Sequence, residues 1–263
     1  MVKILTIVLI ISLITTVFPQ DYSSFNKSTV SFFDSVEQFT KDFNRENATN
    51  ILESTNFSDS VVERLLKSYY NVKANDPVGF HKYELLKREE FEKNYNPQSN
   101  ELMLPEKIGI IYRIISSKYG KQCINLLLIP WYLKVKILDF NFEPLHSPKG
   151  QSFKNYVLAE VQEVVKGVKF YSVGQTIKIY YKTQWMQGKQ FKKNNSYFVA
   201  LHESNCQKGD CANIGLGTFP DDNGGVYQIE NNEINAPNNY FGFKDKITWS
   251  EFKNEFVKKY LIK

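Results

Sequence analysis

Three histidines, three cysteines and scattered carboxylates are the residues of this chain that could do chemistry, and their spacing limits what that chemistry could be. His202 and Glu203 are adjacent at the end of a strand-forming run, where a carboxylate could orient an imidazole as a general base. A strand end is equally the place for a histidine with a purely structural role, and His81 and His146 lie in unrelated segments. Asp221 and Asp222 suggest calcium, but an EF-hand loop opening at Asp221 needs a glutamate at its twelfth position, where Asn232 stands, so a polar turn is expected there. The chain contains no Gly-x-Ser-x-Gly elbow, no His-Glu-x-x-His and no phosphate-cradling glycine loop. Without these motifs the expectation is a non-catalytic protein with no cofactor. The alternative is a secreted hydrolase whose site is assembled from dispersed residues such as His202 and Glu203.

The cysteines lack a Cys-x-x-Cys pair, and His202 is the only histidine near two of them, so no metal site is expected. In an oxidising compartment Cys206 and Cys211 are the expected disulfide, closing the polar loop Gln207-Lys208-Gly209-Asp210 and leaving Cys123 over.

The elements that must position these residues fall into two halves. Apolar residues at Val30, Phe33, Val36, Phe39 and Phe43 predict an amphipathic helix over Val30–Phe43. A second helix is expected over Val61–Val72, opened by a Ser60/Glu63 capping box and stopped at Asn75–Gly79. A third spans Phe80–Tyr95, and the most apolar one runs from Pro105 to Gly120. Ile124–Ile129 then leads without a linker into four strand-forming runs, Trp131–Phe142, Asn155–Val165, Thr176–Tyr181 and Tyr197–Glu203. Asn231-Asn232 suits a tight hairpin between Tyr227–Glu230 and Glu233–Ile234. A Thr248/Glu251 capping box opens a closing helix with Trp249, Phe252 and Phe256 on its apolar face, which should cover one end of a barrel. The predicted fold class is therefore α+β. A helical region (21–125) packs as a layer on a small antiparallel β barrel (126–263) that is closed by the C-terminal helix.

The order YLKVKILDF, YVLAEVQEVVKG, TIKIYY and SYFVAL resembles the netrin-like modules related to tissue inhibitors of metalloproteinases, over residues about 130–205. Val164-Val165-Lys166-Gly167 matches the Val-x-Lys-Gly step that ends their second strand, and Tyr197-Phe198 approximates the pair that begins their fourth. The resemblance implies an OB-type barrel and a role in binding other proteins. Inhibitors of that family reach a target's zinc with an amino-terminal cysteine. A mature start near Asp21 offers none, so no inhibitory residue carries over. On an OB-type loop, Trp185 and Met186, with Lys189 on the basic side, form the candidate binding surface, where the indole could stack on a sugar, a base or a partner protein; the alternative is a tryptophan folded over the barrel end.

Met1-Val2-Lys3 and the apolar run Ile4–Phe18 have the layout of a signal peptide over residues 1–20, and the run is short for a membrane span. The residues around Phe18-Pro19-Gln20 do not define a cleavage site, so removal and retention as an anchor both stay open. Asn26, Asn47, Asn56 and Asn194 open glycosylation sequons that matter only in a eukaryotic secretory route. With 33 basic and 28 acidic residues the net charge is +5 and spread along the chain, which argues against nucleic acid as a partner. The sequence predicts a secreted or periplasmic, non-catalytic protein that binds a protein or a glycan and keeps no stable membrane span once the leader is gone.

Overall fold

Apolar residues recurring every three or four positions build the first half of the molecule, which the computed structural model describes as six helices. Residues 25–261 are described apart from 95, 97–98, 148–149, 182–190, 204–210, 215–224, 236–242 and 244–245. Helix α1 (Lys27–Phe39) begins where the Asn26 side chain accepts a hydrogen bond from the Ser28 backbone N–H. After the short α2 (Ala48–Ser54) come α3 (Asp59–Asn75), α4 (Pro77–Lys93), α5 (Leu104–Tyr119) and α6 (Lys121–Leu128). Asp76 caps α4 by accepting from the Gly79 N–H at 3.1 Å, and it also receives the Thr29 hydroxyl of α1 at 2.5 Å, tying two helix starts together. Phe33 stacks on Tyr83 at 4.4 Å, and Ile111 and Ile115 are fully buried beneath the aromatic cluster.

Three local expectations need correcting here. The N-cap of α3 is Ser58, so Ser60 and Glu63 lie inside the helix and form no capping box. Helix α2 was not signalled by periodicity, being only seven residues long. Residues 124–128 are helical, because Gly120 at φ +80° ends α5 and lets α6 start at once in a new direction. Helix α6 gives Ile124 and Leu128 to the helical core and Leu126 to the outer face of the sheet, so it joins the two halves.

The second half is one strongly curled sheet of β1 (Trp131–Ser147), β2 (Gly150–Lys166), β3 (Thr176–Tyr181), β4 (Ser196–His202), β5 (Cys211–Ile214), β6 (Val226–Glu230), β7 (Glu233–Asn235) and β8 (Lys246–Thr248). The first strand pairs antiparallel with both β2 and β4, and β2 continues to β3. The fold is thus α+β, as expected, but the sheet is not a small, purely antiparallel closed barrel. Its link from β3 to β4 runs through β5, by three parallel pairs on one side and two antiparallel pairs on the other. Beyond β4 the sheet extends through β6, β7 and β8, with Asn231 and Asn232 both at positive φ in the tight turn between β6 and β7.

Alternation along β1 and β4 sorts their side chains onto two faces. Leu133, Val135, Ile137, Val199 and Leu201 fill the inner face with Val157, Val161 and Ile179. Tyr132, Phe198 and Ala200 point the other way and meet the closing helix α7 (Trp249–Phe256), which continues as a π-helical turn through Leu261. This helix covers the outer face of the sheet rather than a barrel end, and Phe252 and Phe256 are fully buried there. Its capping box forms as expected, with the Glu251 N–H donating to the Thr248 hydroxyl and the Thr248 N–H to the Glu251 carboxylate.

In β1 the register slips after Ile137: Ile137 faces Ala159 whereas Phe140 faces Val157, so three residues of β1 advance against two of β2. This bulge returns Phe140 and Phe142 to the inner face they would otherwise have left.

Candidate functional site

Two features stand out where the elements meet: a buried polar junction between the helical layer and the sheet, and an aromatic ribbon at the far end of β1.

The junction forms because the last turn of α3 lies against the ends of β2 and β4. Lys73 is buried on α3 and donates to Glu203 just past β4 at 2.6 Å, with each side chain only about a tenth exposed. The Phe80 ring of α4 lies 4.7 Å from the same ammonium. His202 Nδ1 stands 3.9 Å from the other Glu203 oxygen. On the neighbouring strand end, Lys166 donates to the carbonyls of Leu127 (2.7 Å) and Ile129 (2.6 Å), the C-terminal end of α6. Gly167, at φ +105°, follows because a Cβ there would come within 2.6 Å of the Trp131 ring. The Lys-Gly step thus has a physical basis: the lysine closes a helix end and the glycine makes room for an indole.

Burial governs how these groups titrate. Burial lowers His202 to about 4, with Glu203 opposing the shift and Lys73 and Lys166 adding to it. Burial also brings Lys166 to about 7, helped by the charge of Lys73. For Glu203 burial pushes the pKa upward, but Lys73 and His202 outweigh it and the carboxyl ends below its ordinary value. Burial raises Glu84 on α4 against the pull of Lys73 and His81, and burial likewise raises the Tyr69 hydroxyl. At neutral pH the imidazole is uncharged and the Glu203 carboxylate is held by Lys73. This arrangement clamps one layer to the other.

The ribbon forms because β1 and β2 stay paired as far as Ser147 and Gly150, well past the last β1–β4 pair at Lys136 and Ser196. Phe140 is 41% exposed and Phe142 is 61% exposed. Both lie on the inner face, in line with Val157 and the β3 residues Ile179 and Tyr181, whose ring meets Phe191 edge-on. The apolar stripe that fills the curled sheet thus runs on into solvent.

Of the residues singled out in the sequence, His202 and Glu203 do come together, but around Lys73 rather than a cavity. The cavities at Arg113 and at Lys107 are lined by neither of them. Trp185, Met186, Lys189 and Cys206 lie outside the described residues, as do Asp221 and Asp222. Cys211 is described only in its backbone, opposite Lys178 on β3, so the expected Cys206–Cys211 pairing is outside the described residues too. Cys123 is half-buried on α6, and His81 lies on α4. Among the described residues no group of three or more histidine, cysteine, aspartate or glutamate side chains could hold a metal, and no helix is long and apolar enough to cross a membrane.

Sequence reasoning missed Lys73, although it sits four residues after Tyr69 and next to Val72 on the apolar stripe of α3, where a charge needs a buried partner. Phe140 and Phe142 were read as ordinary strand residues, because nothing in the sequence shows that β4 stops pairing at Lys136. Comparisons with protein families, characterised proteins and solved structures find no match to this chain.

Proposed function

We propose that this chain is an exported, non-catalytic binding protein built on a curled sheet of OB-like strand order, and that it grips another protein through the aromatic stretch of β1. The observation that carries this reading is the exposure of Phe140 and Phe142 side by side on β1, past the point where its pairing with β4 ends. Paired exposed aromatics on a strand are typical anchors for a partner, since they bury much area at little cost in side-chain entropy. The OB-type reading is supported by the cyclic order of pairings, β1 to β2, β3, β5, β4 and back to β1, and by the Val164–Gly167 step. Export rests on the apolar leader, Ile4–Phe18. A hydrolase reading would need His202 and Glu203 for chemistry, and the hold of Lys73 on Glu203 argues against that.

The test is a Phe140→Ser/Phe142→Ser double variant of the full chain, screened beside the parent against immobilised extracellular ectodomains and glycans. Both rings are exposed, so the variant should melt within about 1 kcal/mol of the parent while losing at least about tenfold in affinity for whichever ligand the parent retains. Equal binding by parent and variant would overturn the ribbon as the contact surface. Hydrolysis of an ester, peptide or glycan substrate that disappears in His202→Asn would establish the catalytic alternative.

A further inference from the structure

We propose a second site, separate from the ribbon: the open cavity of about 520 Å³ between α2, the start of α3 and α5 is a binding site for a neutral sugar. Its size is within the range of small-molecule sites. Leu52, Phe57, Val62 and Ile114 supply the apolar part of its lining. The Phe57 ring is held by Phe39 of α1, with centroids 5.7 Å apart, so its orientation is fixed before any ligand arrives.

The polar part of the lining decides the ligand class. Arg113 and Lys118 bring two positive charges and Glu53 and Asp59 two negative ones. Lys118 already lies 2.9 Å from Asp59 and 3.7 Å from Glu63, so its charge is committed to its neighbours on that side of the rim. Glu53 and Arg113 are exposed and remain as an acceptor and a donor, with the amide of Asn56 and the hydroxyls of Thr49 and Thr55 beside them. An anion would face Glu53 and Asp59, and a cation would face Arg113 and Lys118. A hydrocarbon would strip water from all four charges without replacing their hydrogen bonds. A pyranose avoids each of these costs. Its C–H face suits the Phe57 ring, and its hydroxyls both donate and accept, matching a rim of balanced charge.

The experiment is a heteronuclear NMR titration of the full chain with maltose, cellobiose and N-acetyllactosamine, using glucuronate and glucosamine as charged controls. A neutral disaccharide should shift the backbone amides around Phe57 and Arg113 at millimolar concentration. Arg113→Gln and Glu53→Gln should each weaken that binding about tenfold, equivalent to about 1.4 kcal/mol, without altering the melting temperature. The ribbon variant Phe140→Ser/Phe142→Ser should bind the sugar like the parent, which keeps this site's failure distinct from failure of the ribbon. No response to any neutral sugar would overturn the proposal. So would stronger binding of either charged control, or parental affinity in both polar variants.

Discussion

The sheet is sealed on two sides by different chemistry. On its outer face α7 lays Phe252 and Phe256 over Tyr132 and Phe198, with ring centroids 4.8 to 5.3 Å apart, and its ion pair to the sheet, Lys253 with Glu163 of β2, stays about a third exposed at the margin. The contact with the helical layer is made instead by Lys73, Glu203, His202 and Lys166, all removed from bulk water to some degree. Aromatic packing gains stability mainly from buried area, with a smaller contribution from edge-to-face geometry. A buried ion pair returns little net free energy, because desolvation offsets attraction, but it is unforgiving of misplacement. The first contact supplies stability, and the second fixes how α3 docks on the ends of β2 and β4.

The largest effect should come from the aromatic side. Phe256→Ala should cost about 3–5 kcal/mol in denaturant unfolding, with the same loss at pH 5 and pH 8, because the rings packed on it are those of Tyr132, Phe198, Phe252 and Tyr260, with no carboxylate or imidazole among them. A variant melting like the parent would mean that α7 is detachable.

On the polar side, Glu203→Ala should cost about 3 kcal/mol by leaving Lys73 buried without its counter-charge, whereas the double change Lys73→Met/Glu203→Leu should be close to neutral. The parent should also lose stability as pH falls from about 6.5 to 4. In that window an unfolded His202 takes up a proton that the folded one, lowered to about 4, does not, so unfolding is favoured. Glu203, held below its ordinary value, adds to the loss at the acid end, while Glu84, raised by burial, works in the opposite direction. Stability curves measured against pH in His202→Asn should be flatter over this window. An unchanged slope would remove the histidine from the account. The smallest effect is at the cap of α7, where Thr248→Ala should lower stability by about 1 kcal/mol, since packing rather than the cap holds this helix.

Much of the fold was legible where one period dominates a long segment. The runs Thr176–Tyr181 and Val226–Glu230 coincide with β3 and β6, and the Thr248/Glu251 box marks the start of α7, because these signals are local. Short elements were not legible. Residues 124–128 carry an apolar run that suits either a strand or a buried helix, and the turn at Gly120 decided it. The polar junction was half legible: His202 and Glu203 are neighbours in sequence, but their partner Lys73 comes from 130 residues earlier, a distance no local pattern spans.

The one-residue slip after Ile137 has a consequence for heredity. Deleting the single codon for Leu138 would remove the extra residue and leave the pairs on both sides of it as they are, with the two phenylalanines still on the inner side, whereas deleting Asn141 would carry Phe142 to the outer side and Glu143 to the inner. A lineage can therefore lose a residue at the slip without altering the surface it offers, but not one position further along. The face presented at this tip is correspondingly insured against one kind of mutation, while the curled sheet that carries it stays the same.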